Sequence, residues 1–156
     1  FIYSTYSYLL KCVKSKRPEI PVETVPGISA INLAASLMEV PLVEGDENLI
    51  ILPLPEDLNR LKEIFCKFDT TVLMKIGRRL KSLITFLKKM GLEDSAFFVS
   101  HAGCPNQYIA KGVSYLSKEA SGYLSILIVK KTSGFPFRRC ISALDYSRQS
   151  PHSGNI

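Results

Sequence analysis

Short β-forming runs alternate with stretches of helical period along this chain, and that alternation limits the fold more than any composition figure does. Residues 49–52, 70–76, 96–100, 108–113 and 123–130 are rich in branched and aromatic side chains, which fit a pleated, half-buried surface. Between them, Leu58, Leu61, Ile64 and Phe65 recur at the spacing of one helix face, and Glu56 and Asp57 at its start favour its dipole. Residues 80–90 form a second amphipathic helix, and Gly91 stops it as glycine often stops helices. Near the start, Tyr6, Leu9, Leu10 and Val13 give residues 4–15 a helical spacing, with Pro18 beyond its end. Strands and helices of these lengths in this order predict α/β layering with crossover connections.

The stretch 22–38, VETVPGISAINLAASLM, is the most informative for function. A short β-rich run at 22–25 ends in Pro26-Gly27, and a small-residue helix over 29–38 starts at once. Pro26 fixes the direction of chain entry, and Gly27 is read as supplying angles or close approaches that a β-carbon forbids. Ser29 is a natural N-cap, so free backbone N–H groups and a hydroxyl point beyond the strand end. Ala30, Ala34 and Ala35 leave room for a second backbone or a flat ligand. A plain strand–turn–helix corner uses similar residues, so this pattern alone leaves both readings open. Residues 41–46 are read as a connector.

The 156 residues suffice for one ordinary domain or two small lobes, and 46% hydrophobic content with mixed charge describes a globular chain. No run approaches the twenty or so apolar residues of a membrane span. The net charge of +6 raises a nucleic-acid reading. Much of it, however, comes from Lys130, Lys131, Arg138, Arg139 and Arg148, while the cations of the body are scattered beside acids. That distribution fits a solvated face better than a binding stripe with interleaved aromatics. Cys12, Cys66, Cys104 and Cys140 show no zinc-ligand spacing, which predicts no metal site and, with thiols left unpaired, a reducing cytoplasm. His101 and Cys104 are the nearest approach to a base–nucleophile pair, and no third orienting group accompanies them. Residues 131–156 follow neither period and are read as a poorly structured tail.

Taken in order, FIYSTY, VPGISA with its alanine-rich helix, PLVEGDENLIILP, DTTVLMKIGR, AFFVSHAG and YLSILIVK resemble the tetrapyrrole methylase family over residues 1 to about 130. The YSTY, EGDE and LMK strings resemble the branch that methylates C20 of precorrin-2, or of its cobalt-bearing counterpart, in cobalamin biosynthesis. The resemblance implies an α/β fold with two lobes and S-adenosylmethionine folded into the trough between them. It further implies that residues 1–42 are a remnant of the first lobe and residues 43–130 the complete mixed-sheet second lobe. The chain is expected to be a fragment, inactive by itself, since relatives carry a glycine-rich loop and a Gly-Asp-Pro turn before the position of Phe1.

Residue roles follow from the same resemblance. Ile2 matches the position just past the Gly-Asp-Pro turn, facing the methionine part of the cofactor. Ser4 and Thr5 open the helix whose N–H groups and hydroxyls meet the cofactor carboxylate, although Ser4 as a simple N-cap fits the sequence equally. Ser29 and Ala30 match the small pair that lines the trough. Met74 matches the residue whose backbone brackets adenine, with ordinary core filling as the alternative. Ala102 falls beside the adenine, where a one-residue slip would substitute Gly103. Lys75 and Arg78 are candidates for the substrate's carboxylates or for plain solvent contact. No catalytic residue is assigned, because methyl transfer from a sulfonium needs alignment and not a triad. The implied partners are a polycarboxylate tetrapyrrole and, in the full-length protein, a second copy of the chain. A non-catalytic α/β dimerisation module and a basic nucleic-acid-binding fragment are the alternatives.

Overall fold

The computed structural model describes residues 5–116 and 120–131. Its strands are β1 (Leu49–Pro53), β2 (Thr70–Met74), β3 (Ala96–Ser100), β4 (Tyr108–Lys111) and β5 (Ser125–Lys130), joined in one sheet of order β1-β2-β5-β3-β4. Its helices are α1 (Thr5–Lys16), α2 (Ala30–Met38), α3 (Arg60–Lys67) and α4 (Leu80–Lys89). β1 and β2 pair in parallel, with Leu49 opposite Thr70, while β5 is antiparallel to both β2 and β3, and β4 is antiparallel to β3. The sheet is therefore mixed, and α3 supplies the crossover that a parallel pair requires.

Period-two alternation divides the core between the two faces. Leu73, Phe98, Leu127 and Val129 point to the face covered by Leu61 and Phe65 of α3 and by Leu80, Leu83 and Leu87 of α4. Val72, Val99, Ile126 and Ile128 point to the opposite face, where α2 lays Ile31, Ala34, Ala35 and Met38. Those α2 positions follow i, i+3, i+4, i+7, one stripe of a helix, and burying Ile31 or Met38 contributes about 1.5–3 kcal/mol each. Every residue of β5 is buried, as expected of a central strand covered on both sides. The alanines of α2 thus serve the sheet: Ala34 and Ala35 are buried against it.

Lys130 fastens the chain between α2 and β1. Its side chain is only 11% exposed, and its ammonium donates to Pro41 O (2.7 Å) and Glu47 Oε2 (2.9 Å), with Glu44 Oε2 at 3.3 Å. The hydrogen bond from Lys130 holds the Glu47 carboxyl below its ordinary value of 4.5, against a smaller opposing effect of burial. Lys111 of β4 does the same for Glu39, whose carboxylate it meets at 2.6 Å beside the end of α2.

Several expected boundaries move, each for a backbone reason. Residues 22–25 form no strand: β1 and β4 are the sheet edges, neither pairs with this run, and Val22 and Val25 are exposed. Without a ladder partner its N–H and C=O groups turn to solvent. β2 ends at Met74 and not at Ile76 because Lys75 turns left-handed (φ 56°). β5 starts at Ser125 and not at Tyr123 because Leu124 does the same (φ 45°). β4 stops at Lys111, where Gly112 (φ 98°) donates to Ala96 O and Val113 to Glu93 O. Gly27 also departs from expectation: it does not lie in the left-handed region, and a β-carbon there would meet nothing within 4 Å. The expected tail falls, apart from Lys131, outside the described residues, as does Cys140.

α1 forms where the sequence places it, yet it buries none of its residues. Tyr8, Leu9, Val25 and Ile28 are all largely exposed, which gives this part of the chain an apolar surface that the sheet does not cover.

Candidate functional site

Because β2 and β3 both run antiparallel to β5, their carboxyl ends and the start of β5 meet at one end of the sheet. Carboxyl ends of strands are where α/β sheets commonly receive ligands. A groove of about 530 Å³ opens there, on the α2 face. Ala30 and Leu33 of α2 form one wall, with Val99 and Ile126 along the floor. Met74, Lys75 and Gly77 close it from the end of β2, and His101, Ala102 and Cys104 from the turn after β3. Gly122, Tyr123, Leu124 and Ser125 complete it from the approach to β5. The size and the largely apolar lining are those of a small-molecule site.

Backbone contacts fix this shape. Gly77 N–H donates to Gly122 O (2.9 Å), and His101 N–H donates to Leu124 O (2.9 Å), so the approach to β5 is tied to both flanking loops. Ser125 Oγ–H donates to the same Gly122 carbonyl at 2.6 Å. A β-carbon on Gly122 would lie 2.0 Å from Gly77 O, so only glycine permits this approach. Beyond β3, Gln107 Oε1 accepts from Gly103 N–H (2.8 Å), and Cys104 N–H bonds back to His101 O (2.9 Å).

Strain gathers at the same place. Among the described residues, the non-glycine positions in the left-handed region are Glu39, Lys75, His101 and Leu124, and all but Glu39 line the groove. Each such residue costs on the order of 1–3 kcal/mol and persists only where its surroundings hold it, a pattern that concentrates at ligand sites.

The structure brings together three of the residues singled out from sequence: Ala30, Met74 and Ala102 all line the groove. Ser29 caps α2 directly beside Ala30, with its Oγ accepting from Asn32 N–H at 3.2 Å. Lys75 is at the rim with its side chain in solvent, whereas Arg78 is exposed and takes no part in the lining. Thr5 opens α1, and no α1 residue lines the groove. Ile2 and Ser4 lie outside the described residues. His101 and Cys104 do share the groove, joined through the backbone of one turn.

The geometry can be set beside known proteins. Residues 1–115 match the family model described as Tetrapyrrole (Corrin/Porphyrin) Methylases. The chain belongs to this family. It is 36% identical over 135 residues to the probable cobalt-precorrin-2 C(20)-methyltransferase of Methanocaldococcus jannaschii, covering 83% of this chain and 54% of that protein. It is 30% identical over 127 residues to the precorrin-2 C(20)-methyltransferase of Sinorhizobium sp, covering 81% of this chain and 50% of that one. Its fold matches the uroporphyrin-III C-methyl transferase of Thermus thermophilus solved with S-adenyl homocysteine, at TM-score 0.53 and 17% identity, over 84% of this chain and 61% of that one. The chain thus spans about half the length of the curated relatives it matches.

For a tetrapyrrole methylase read from sequence, the omissions are instructive. Leu33, Gly77, Gly122, Tyr123 and Leu124 line the groove and were not among the expected site residues. The available signal was Gly122 ahead of a strongly β-forming run, which marks a close approach as well as a turn.

Proposed function

We propose that this chain carries one wall of the cleft of an S-adenosylmethionine-dependent methyltransferase acting at C20 of precorrin-2 or its cobalt-bearing counterpart in cobalamin biosynthesis. The observation that carries the reading is the meeting of Ala30, Met74 and Ala102 in a single groove, although they are far apart in sequence. The names of the two curated relatives support the choice of substrate. In this proposal Ser29, Ala30, Met74 and Ala102 hold the adenosyl part of the cofactor, and Ile2, Ser4 and Thr5 meet its methionine part. Residues 1–42 are then the closing part of the first lobe and residues 43–130 the second. The uncovered apolar residues Tyr8, Leu9, Val25 and Ile28 support a first-lobe surface made to be packed elsewhere. The proposal extends to a homodimeric enzyme at work in the cytoplasm. No described helix is long and apolar enough to cross a membrane.

The residues present fit such a ligand. Small Ala30 and Ala102 leave space for a flat ring, and Val99 and Ile126 give it an apolar floor to lie on. When bound, S-adenosylmethionine supplies a methyl group already activated on a sulfonium. The chain's task is to align, and alignment of donor with acceptor can contribute on the order of 7–11 kcal/mol. In this proposal Lys75, a cation at the rim of the groove, meets the acetate and propionate carboxylates of the macrocycle.

The test is titration of S-adenosylhomocysteine into the isotope-labelled chain while amide resonances are followed. Weak, saturable shifts are expected at Ala30, 75–77, 101–103 and 122–125, with α3 and α4 unmoved. Absence of saturable shifts, or shifts centred on another face, overturns the reading.

A further inference from the structure

Resting on that functional reading, we infer that Tyr123 is an aromatic platform against which the flat ring of the bound ligand stacks, the ring being either adenine or the tetrapyrrole macrocycle. Tyr123 lines the groove, yet it is 68% exposed. Left bare, so large an aromatic surface gains nothing for the fold; its value lies in what it can cover. Its mobility is also restricted from both sides. The carbonyl before it, on Gly122, accepts from Gly77 N–H and Ser125 Oγ, and the carbonyl after it, on Leu124, accepts from His101 N–H. Its own N–H donates to Ser121 Oγ at 3.1 Å. The ring thus stands on a backbone bonded residue by residue to its neighbours.

A second aromatic group sets its orientation. The His101 imidazole lies 6.2 Å from the Tyr123 ring, tilted by 56°. Tilted pairs of this separation are the favoured edge-to-face type, which leaves one ring face available to a third partner. His101 reaches this position only through its left-handed backbone (φ 50°). Two strained residues, His101 and Leu124, therefore flank the platform, and the hydrogen bond between them fixes it. An aromatic ring carried on a hydrogen-bonded backbone beside an apolar floor suits a planar π-system, whose ordering cost is small because neither partner has many rotamers to lose.

The test measures binding of two probes, S-adenosylhomocysteine and uroporphyrin III, to the wild-type chain and to Tyr123→Ala and Tyr123→Phe. Stacking against an aromatic side chain predicts a loss of about 5- to 150-fold on Tyr123→Ala and near-wild-type affinity for Tyr123→Phe. Because Tyr123 is mostly exposed, the unfolding midpoint is expected to stay where it is, which separates a ligand role from a structural one. Loss confined to S-adenosylhomocysteine identifies adenine as the stacked ring; loss confined to the porphyrin identifies the macrocycle. Wild-type affinity of Tyr123→Ala for both probes overturns the inference alone. A wild-type chain that binds neither probe overturns the functional reading and this inference with it.

Discussion

Gly122→Ala tests whether the groove is made by backbone approach. The added β-carbon would fall 2.0 Å from Gly77 O, 3.0 Å from Gly77 C and 3.2 Å from Gly77 N. Ordinary C···O approaches are about 3.3 Å or longer, so the two segments must separate by about 1 Å. That displacement breaks the 2.9 Å hydrogen bond from Gly77 N–H to Gly122 O. Lost hydrogen bonding of about 0.5–1.5 kcal/mol adds to overpacking strain of about 1–3 kcal/mol, for a total of about 1.5–4.5 kcal/mol. Urea denaturation reads the stability change as a lower midpoint at constant slope, and S-adenosylhomocysteine titration reads the opened groove as weaker binding. Gly77→Ala is the control: its β-carbon meets nothing within 4 Å, and only the left-handed φ of 55° penalises it. It should lose about 1–2 kcal/mol of stability while keeping the groove closed. A Gly122→Ala chain with the wild-type midpoint and wild-type affinity refutes the close approach.

Three further outcomes are expected. Ala30→Leu places a large side chain on the groove wall; it should weaken S-adenosylhomocysteine binding by about 1–3 kcal/mol and leave the denaturation midpoint unchanged, since Ala30 is exposed. Lys130→Met keeps the aliphatic stem and deletes the bonds to Pro41, Glu44 and Glu47, costing about 1.5–3 kcal/mol in denaturant. Because the folded Glu47 carboxyl titrates below 4.5, its contribution is whole above the unfolded value and disappears as pH falls through the folded one; the acid-side slope of stability should shrink in Lys130→Met. Finally, Tyr8, Leu9, Val25 and Ile28 lie exposed, so the chain by itself should bind an apolar dye and associate with rising concentration, and a dye-silent monomer on size exclusion argues against that surface.

How far the fold was legible follows from which forces made it. α4 and its stop at Gly91 and β1 to β3 are set by local period and punctuation, and they stand within a residue or two of expectation. α3 keeps Leu61, Ile64 and Phe65 of its expected face but begins only at Arg60, so Glu56, Asp57 and Leu58 fall in the bend and turn before it and Glu63 is the acid of its first turn. The run 22–25 has the composition of a strand, yet a strand exists only with a partner, and partnership is a property of the sheet. Likewise nothing local announces that Lys75 and Leu124 turn left-handed, because neither is a glycine or an asparagine. Their conformations are imposed by what surrounds them. The small-residue helix left a ligand site and a plain strand–turn–helix corner both open, and the structure divides it. Ala34 and Ala35 answer to the sheet, while Ala30, with Leu33, faces the groove.

The lining of the candidate groove was half legible for a related reason. Ala30, Met74 and Ala102 were found by likeness of strings to a family, and the groove gathers all three. Gly77, Gly122 and Leu124 were missed because their contribution is made by main-chain atoms: an N–H, a carbonyl shared by two donors, and a carbonyl that holds His101. Main-chain groups carry no side-chain signature, so a site built from them escapes any search for acids, bases and nucleophiles. A chemistry that asks for alignment suits such a site, since bonded backbone moves less than a side chain that must be held in one rotamer. The three strained residues then have a physical rationale. Together they forfeit several kcal/mol, which burial of the central strand along its whole length helps to offset.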